Sequence, residues 1–358
     1  MKVTRDMVDK DLRGRYAAGR IIAGFFHTRW FSLLVLRFSR AVLRGKNIRG
    51  LVCRERHIPS RNGGAPIRVR VYRPTAAVGP LPVMLYLHGG GYVHGVPEQF
   101  GSSIKDFIET EPCIIVAPDY RKAVESPYPA AFNDCYDTLL WIRDNAASIG
   151  GRTDRFIVSG HSAGGGLAAA VSLKATDTDD AKIAFQMPLY PMIDDRQNSA
   201  SAVGNDAPVW DEEANRLAWS RYLDGVMNVT PYAAAARCTD YTKLPPTITY
   251  VGSIEPFRDE TKIYVESLRR ANVPVEFEVF DGAFHGFDVM VPDAPISKRA
   301  NQFLMENFQK FVQRYFPRTI NTVWTAAASF AVSHAAMRAI RSSGCLDDAA
   351  VPTEIRSA

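Results

Sequence analysis

A serine at the centre of a glycine-rich pentapeptide is the first feature of this sequence that could carry chemistry. Ser162 stands in GHSAG (160–164), between the apolar run 156–158 and a stretch of small residues. The order predicts a strand, a very tight turn and a helix, with the serine hydroxyl lifted clear of the sheet. Because a residue at such an apex has a strained backbone, the flanking glycines leave room for strand and helix to meet. Unsatisfied N–H groups of the first helical turn would lie beside the hydroxyl, suited to a developing oxyanion.

A histidine that could act as the base lies downstream of this serine. A serine hydroxyl at neutral pH is a poor nucleophile and needs a histidine base, which is itself oriented by a carboxylate. His285 falls in the turn DGAFHGF (281–287), which follows the apolar run 275–280 and has glycines on both sides of the histidine. A single histidine is more often structural than catalytic, but its position after a strand and after the serine favours the catalytic interpretation.

Four carboxylates are candidates for orienting that histidine. Glu255 falls in the loop after a strand, where a carboxylate can turn toward His285. Asp259 and Glu260 fall in the first turn of the next helix, where acids commonly interact with the helix dipole. Asp194 follows another strand and is a more distant candidate. With Glu255 as the predicted acid, the chain order is serine, acid, histidine, which is the order of an α/β-hydrolase and not of the other two familiar serine-protease types.

Three consecutive glycines, Gly89, Gly90 and Gly91, directly follow the apolar run 83–87. Glycines expose backbone N–H groups with no side chain to block a substrate, which is what an oxyanion hole requires. A flexible loop is the alternative interpretation. The position of the run at the carboxyl end of a buried strand, the same end that carries the serine, argues against it.

The elements that must position these residues form an α/β pattern. Near-continuous apolar strands that alternate with helices specify a mostly parallel sheet covered on both faces, and ligands bind such sheets at the carboxyl ends of the strands. An antiparallel hairpin at the start brings the expected number of strands to eight. The predicted strands are 51–58, 67–73, 83–87, 113–117, 156–158, 183–189, 247–251 and 275–280, and the predicted helices of the core are 130–147, 163–174, 258–271 and 298–316.

Two stretches outside this alternation are expected to form a helical cap. Residues 6–45 read as two helices, and arginines interrupt the second, so that no charge-free span reaches the roughly 20 residues that a transmembrane helix needs. They could lie on a membrane surface as a basic amphipathic element or pack over the mouth of a catalytic domain, and the second interpretation is favoured. Residues 195–238 are too long for an ordinary connection. Their large aromatic residues, which could line an acyl pocket or hold the cap together, are Trp210, Trp219, Tyr222 and Tyr232.

Composition excludes several classes of protein. The chain has 358 residues, of which 46% are hydrophobic, enough to bury one large core or two modest ones. The formal net charge of +5 is mild and no basic stripe alternates with aromatic residues, so nucleic acid is not an expected partner. Five scattered cysteines and an N-terminus without a signal-peptide core favour reduced thiols in the cytoplasm. The seven histidines lack metal-ligand spacing, so neither a metal nor another cofactor is expected.

The motifs HGGGY (88–92), GHSAGG (160–165) and FHGF (284–287), with the stretch 119–131, together resemble the hormone-sensitive-lipase-like esterases of bacterial family IV. The resemblance covers about 51–316. It implies an α/β-hydrolase fold with a cap built from the N-terminal helices and an insertion after the sixth strand. The domain division that follows is 1–50 for the N-terminal cap helices, 51–194 and 239–317 for the core, 195–238 for the cap insertion, and 318–358 for a C-terminal extension without an assigned role, which holds the alanine-rich helix candidate 322–340.

The resemblance also implies the oxyanion donors and shows two departures. The donors would be the N–H groups of the glycine run, with Gly90 and Gly91 preferred over Gly89, and of Ala163. The family usually has aspartate where this chain has Glu255, a residue longer by one methylene. It often has aspartate before the nucleophile, where this chain has His161, for which a packing role is expected.

The expected activity is that of a serine carboxylesterase that hydrolyses short- to medium-chain acyl esters through an acyl-enzyme. The same three residues would serve an amide, carbamate or lactone hydrolase, because leaving-group preference depends on the pocket. A ligand-binding receptor on a hydrolase scaffold would instead be expected to have lost part of the triad. The expected partner is a small-molecule ester, and both a homodimer and peripheral contact of the N-terminal helices with a membrane are compatible with the sequence.

Overall fold

A computed structural model of the chain describes residues 1–61, 63–77 and 79–317. The expected C-terminal extension 318–358, with its helix candidate 322–340, lies outside the described residues. No single helix among the described residues is long and apolar enough to cross a membrane. The stretches Arg13–Phe26 and Arg29–Leu43 meet the hydropathy requirement only when they are taken together, and they are bent by 106° relative to each other.

The core is one eight-stranded sheet. Its strands are β1 (Leu51–Ile58), β2 (Ile67–Pro74), β3 (Leu81–Leu87), β4 (Ile114–Pro118), β5 (Gly151–His161), β6 (Ile183–Leu189), β7 (Thr247–Gly252) and β8 (Val275–Phe280). Across the sheet they lie in the order β1-β2-β4-β3-β5-β6-β7-β8. Strand β2 pairs antiparallel with both β1 and β4, and all other neighbours are parallel. The prediction of an eight-stranded, mostly parallel sheet is therefore confirmed.

Helices cover both faces of this sheet, as the alternation predicts. Along β3, Val83 and Leu85 belong to the apolar core on one face, with helices α4 (Ala130–Asn145) and α5 (Ala163–Thr178). Met84 belongs to the core on the other face, because successive side chains of a strand point to opposite sides. The remaining α-helices are α1 (Tyr16–Phe26), α2 (Arg29–Leu43), α3 (Gly101–Thr110), α6 (Glu212–Tyr222), α7 (Arg258–Arg270), α8 (Phe287–Met290) and α9 (Pro295–Tyr315).

Several predicted boundaries differ from the structure. Strand β5 begins at Gly151 instead of residue 156, because Gly151 pairs with Leu81 of β3. Helix α9 begins at Pro295 instead of residue 298, since proline suits the first helical turn. Helices α3 and α8 are not among the predicted elements. Each is short, and α3 buries only a narrow apolar stripe.

The N-terminal helices contact the insertion 195–238. The backbone N–H of Val209 donates to Gly19 of α1 at 2.8 Å, and the imidazole of His27 lies 3.0 Å from the carboxylate of Asp211. Asp211 also caps α6, the one α-helix of the insertion, by accepting the N–H of Ala214 at 2.8 Å. The assignment of these two segments as a functional cap stays a prediction.

Candidate active site

Ser162 occupies the sharp turn between β5 and α5. Its backbone angles, φ 58° and ψ −119°, are those of a strained apex. A Cβ atom added to Gly160 would lie 2.2 Å from the carbonyl oxygen of Gly164, and one added to Gly164 would lie 2.1 Å from that of Leu87. Only glycine fits at either position, which is the physical reason for the pentapeptide.

The structure brings Ser162, His285 and Glu255 together in one hydrogen-bonded chain. The hydroxyl of Ser162 lies 2.8 Å from Nε2 of His285, and Nδ1 of the same ring is hydrogen-bonded to Oε2 of Glu255. The other carboxylate oxygen of Glu255 accepts the backbone N–H of Gly252 at 2.7 Å. All three side chains are buried, and Glu255 completely so. With the Nδ1 proton directed at Glu255, Nε2 is free to accept the proton of the serine.

The other candidate carboxylates are engaged elsewhere. Asp259 pairs with Arg258 and accepts the backbone N–H of Ser201, and Asp194 pairs with Arg196. The carboxylate of Glu260 accepts the backbone N–H of Ile193 at 2.8 Å, and burial raises the pKa of Glu260 well above its usual range. Of the four acids, Glu255 is therefore the one that contacts the histidine.

Aromatic rings hold the imidazole of His285 in place. The rings of Phe257 and Tyr190 meet it edge-on, with centroids at 4.9 and 5.1 Å, and the Trp210 ring lies at 6.2 Å. Contacts on several sides restrict the orientation of the imidazole, whose Nε2 edge faces Ser162. A base restricted in this way needs little reorganisation when it accepts a proton.

The glycine loop lies against the serine and depends on its glycines. Gly90 and Gly91 have positive φ, 127° and 58°. A Cβ atom at Gly91 would lie 2.3 Å from the ring of Trp210, and one at Gly89 would lie 3.5 Å from Cβ of Ser162. Ala163 is the first residue of α5, a position whose N–H has no partner within the helix. The three predicted loop donors and the serine line the same cavity.

His161, which precedes Ser162, contacts Tyr86 and not Glu255. Its Nδ1 is 2.9 Å from the hydroxyl of Tyr86, and burial lowers the pKa of His161 to about 3. The ring stays neutral at neutral pH and lies among the rings of Phe100 and Tyr190. This environment agrees with the expected packing role.

The cavity in front of Ser162 has a volume of about 200 Å³ and mostly apolar walls. Ile22 and Phe26 of α1 line it together with Trp210 and Met290. The sequence did not indicate that Ile22, Phe26 and Met290 would line the cavity. The spacing of four residues between Ile22 and Phe26 marks one face of a helix but not the direction in which that face points.

The aromatic residues of the insertion divide between the two roles considered above. Trp210 lines the cavity, whereas Tyr222 stacks on Tyr92 of the core at 3.9 Å and Trp219 lies 5.5 Å from the same ring. Tyr232 stacks on Phe132 of α4 at 5.8 Å. One residue therefore faces the cavity and three attach the insertion to the core.

His94 lines the cavity as a buried, neutral ring. Within the part of the chain that the structure describes, neither of its ring nitrogens has a hydrogen-bond partner. The ring stacks on Phe26 at 4.9 Å. Burial lowers the pKa of His94 from its ordinary 6.5 to about 4.

This burial predicts an acid-dependent loss of stability. Between these two pKa values the unfolded chain protonates His94 and the folded chain does not, so the free energy of unfolding falls as the pH falls. Phenylalanine cannot be protonated, so the variant His94→Phe should lack this loss. The free energy of unfolding of the variant minus that of wild type should therefore be about 2 kcal/mol larger at about pH 5 than at about pH 7. Urea unfolding at both pH values measures it, with His57→Gln at an exposed position as control. If the difference between variant and wild type were the same at both pH values, His94 would be protonated in the folded protein as readily as in the unfolded chain.

Comparison with known proteins places this geometry in a family. A family model described as an alpha/beta hydrolase fold matches residues 84–289. Esterase LipI of Mycobacterium tuberculosis is 34% identical over 228 residues, which cover 62% of this chain and 71% of the relative. Carboxylesterase NlhH of the same species is 34% identical over 243 residues, which cover 65% and 76%.

Solved structures agree with the sequence relatives. A bacterial heroin esterase superposes with a TM-score of 0.77 at 32% identity, over 86% of this chain and 99% of its own. A hyperthermophilic esterase from Pyrobaculum calidifontis superposes with a TM-score of 0.72 at 26% identity, over 85% and 99%. The family model spans more than half of this chain and the relatives are matched over most of their own length. The chain therefore belongs to the α/β-hydrolase family, in its hormone-sensitive-lipase-like branch.

Proposed function

We propose that the protein is a serine carboxylesterase that hydrolyses short- to medium-chain acyl esters through an acyl-enzyme. The observation that carries this proposal is the hydrogen-bonded chain Ser162–His285–Glu255 at the base of an apolar cavity. The glycine run beside the serine supports it, as does the likeness to relatives that are named esterase and carboxylesterase. A ligand receptor would have no use for such an arrangement.

In the acylation step, the hydroxyl oxygen of Ser162 attacks the ester carbonyl carbon while its proton passes to Nε2 of His285, 2.8 Å away. Glu255 stays ionised and stabilises the imidazolium that forms. The carbonyl oxygen becomes an oxyanion, which accepts hydrogen bonds from the N–H groups of Gly90, Gly91 and Ala163. His285 then gives its proton to the departing alcohol, and the acyl group remains on the serine.

Deacylation repeats these steps with water as the nucleophile. His285 takes a proton from the water as its oxygen attacks the acyl carbonyl, and the same N–H groups hold the second oxyanion. The proton returns to Ser162 as the carbon–oxygen bond to the serine breaks, and the carboxylic acid leaves. The cycle ends with the same protonation states with which it began.

The cavity supports a preference for modest apolar acyl groups. Its volume of about 200 Å³ is small for a ligand site, and Phe26 and Trp210 are among its walls. Charged acyl groups would lose hydration without gaining a partner there.

A series of p-nitrophenyl esters of increasing chain length, run beside the matching anilides, tests this proposal. Ester hydrolysis should dominate, with the highest kcat/KM at short to medium chains. Replacing Trp210 by alanine should move the optimum to longer chains, because the indole side chain forms part of the cavity wall. Trp141→Ala, at a partly buried position on α4 outside that wall, is the control. Anilide rates that match the ester rates would identify an amide hydrolase instead.

A further inference from the structure

The N-terminal helices expose a continuous row of large apolar side chains. On α2 these residues are four apart and therefore lie along one side of the helix, over about 18 Å. Phe31 connects this row to α1, since its ring stacks on Phe25 at 4.8 Å and meets Trp30 at 6.1 Å. The row, called here the N-terminal apolar face, consists of Ile21 (62% exposed), Phe25 (46%), Trp30 (63%), Leu34 (53%), Phe38 (64%) and Val42 (41%).

This concentration is unusual for the molecule. Among the residues that the structure describes, eleven large apolar side chains are exposed, and six of them belong to the N-terminal apolar face. Single exposed apolar residues are ordinary in proteins, whereas a contiguous apolar patch marks a surface that binds something. The other five are scattered along the chain.

Positive charge surrounds the N-terminal apolar face. Residues 12–54 contain ten Lys and Arg and no Asp or Glu, so this stretch carries +10 while the formal net charge of the whole chain is +5. Arg37 lies two helical turns after Trp30, on the same side of α2. Arg29 lies about two turns before Arg37 and directly precedes Trp30. Both are exposed, and no carboxylate among the described residues pairs with either of them. The two arginines are thus available to an anionic partner.

We propose that the N-terminal apolar face docks on an anionic lipid surface, so that the enzyme acts on esters dissolved in the membrane. The substrate part of this proposal rests on the proposed ester hydrolysis; the docking part does not. An amphipathic helix with Trp, Phe and Leu on one side and arginines beside them lies in the interface of a bilayer. Each exposed basic residue adds attraction to anionic headgroups.

The cavity in front of Ser162 is lined in part by one of the helices that carry this face. Ile22 and Phe26 line the cavity, and each directly follows a residue of the N-terminal apolar face, Ile21 and Phe25. Helix α1 therefore has one side toward the candidate active site and the other toward the surface. An ester held in the outer part of a bilayer would have only the thickness of this helix between it and the cavity.

Two ion pairs fix α2 to the core and keep its apolar side outward. The guanidinium of Arg44 pairs with the buried carboxylate of Asp119 at 2.7 Å, and that of Arg40 pairs with Glu125. Because both arginines are engaged with the core, the face is presented by a held helix and not by a loose one. The 106° bend between the two helical stretches favours lying on a bilayer over crossing it.

A second copy of the chain and the C-terminal helix candidate could also cover the N-terminal apolar face, but both fit its charges less well than an anionic lipid surface does. In a symmetric dimer through this face, Arg29 and Arg37 of one copy would meet the same arginines of the other, and like charges brought together oppose binding. The helix candidate 322–340 of the C-terminal extension contains Arg338 and no acidic residue, so it offers no countercharge.

The test is co-flotation of the full-length protein with vesicles of phosphatidylcholine alone or of phosphatidylcholine with an equal amount of phosphatidylglycerol. Wild type should float with the anionic vesicles and much less with the neutral ones. The pair Arg29→Gln and Arg37→Gln should weaken binding roughly 25-fold, about fivefold for each charge removed. The pair Trp30→Ser and Phe38→Ser should weaken it at least about tenfold. Matched controls are Arg269→Gln with Arg299→Gln and Ile263→Ser, all exposed elsewhere.

Activity measurements separate this proposal from the proposed function. The Trp30→Ser and Phe38→Ser pair should keep its rate on a water-soluble ester and lose rate on an ester dissolved in anionic vesicles. A Ser162→Ala variant should still float although it lacks activity. Equal binding to neutral and anionic vesicles, or equal loss in the control variants, would overturn the proposal. So would a wild-type dimer that does not float and that the apolar-face substitutions convert to a monomer.

Discussion

Replacing Ser162 by alanine is expected to lower kcat/KM for p-nitrophenyl butyrate by at least about 10⁴-fold, because removal of a triad nucleophile leaves only the oxyanion donors and binding. The fold should tolerate the change. Alanine is smaller than serine. The positive φ of 58° at this position costs a similar conformational free energy for both residues. Initial rates on the purified variant, with thermal unfolding as a check on folding, measure the effect.

Ser172→Ala is a suitable control for this substitution. Ser172 is a buried serine of α5, the helix that follows Ser162, and its hydroxyl has no hydrogen-bond partner within the described part of the chain. Its loss should leave the rate close to that of wild type. A fluorophosphonate probe should label Ser162 in wild type and nothing in the Ser162→Ala variant. Undiminished turnover in that variant, or a label on another residue, would refute the assignment.

The glycines of this site show how much local chemistry can reveal in advance. At Gly160 and Gly164 any side chain would meet backbone atoms at little more than 2 Å, so the pattern itself specifies a tight turn. The strands could be read for a similar reason, because a strand buried on both faces is an almost unbroken apolar run. These features depend on neighbours in the chain or on burial alone.

Features that depend on distant partners could not be read in this way. The start of β5 has charged residues at 152, 154 and 155, which resemble a loop, and it is a strand because Gly151 pairs with β3. Helix α3 has only three buried apolar residues, Ile104, Phe107 and Ile108, and its place is set by the sheet beneath it. Local propensity is outweighed by tertiary contacts in both cases.

The N-terminal helices illustrate the same limit at the candidate site. Phe25 and Phe26 are adjacent and identical in type, yet Phe26 lines the cavity and Phe25 is 46% exposed. The angle at which α1 meets the insertion decides between them, through contacts such as that of Val209 with Gly19. No property of the two phenylalanines themselves distinguishes the one in the cavity wall from the one at the surface.

Which carboxylate contacts His285 could not be decided from the spacing of residues in the sequence. Glu255 and Asp259 are four residues apart and both follow β7, so either could approach His285 by chain length alone. The structure turns Glu255 inward, with one oxygen on Gly252 and the other on the imidazole, and turns Asp259 toward Arg258.

Replacing Glu255 by glutamine is therefore expected to lower kcat by about 10⁴-fold, the size of effect seen when an amide replaces the acid of a triad. The amide can present an N–H to Nδ1 of His285, which then accepts instead of donating, so the proton sits on Nε2 and the ring cannot take the proton of Ser162. The bond from Gly252 survives, because glutamine keeps a carbonyl oxygen, and the variant should fold. Burst and steady-state kinetics on a p-nitrophenyl ester, with thermal unfolding alongside, measure the change.

Asp259→Asn is the matched control, since it replaces by its amide a nearby acid, four residues after Glu255 in the first turn of α7. Its bonds to Arg258 and Ser201 lie away from the imidazole, so kcat should change little. Glu255→Asp should restore part of the lost rate, because a shorter carboxylate can still accept the Nδ1 proton, while a purely structural role would not distinguish aspartate from glutamine in this way. If Asp259→Asn lost more activity than Glu255→Gln while both variants folded, the acid would be Asp259, and His285 would have to leave its present partner during turnover.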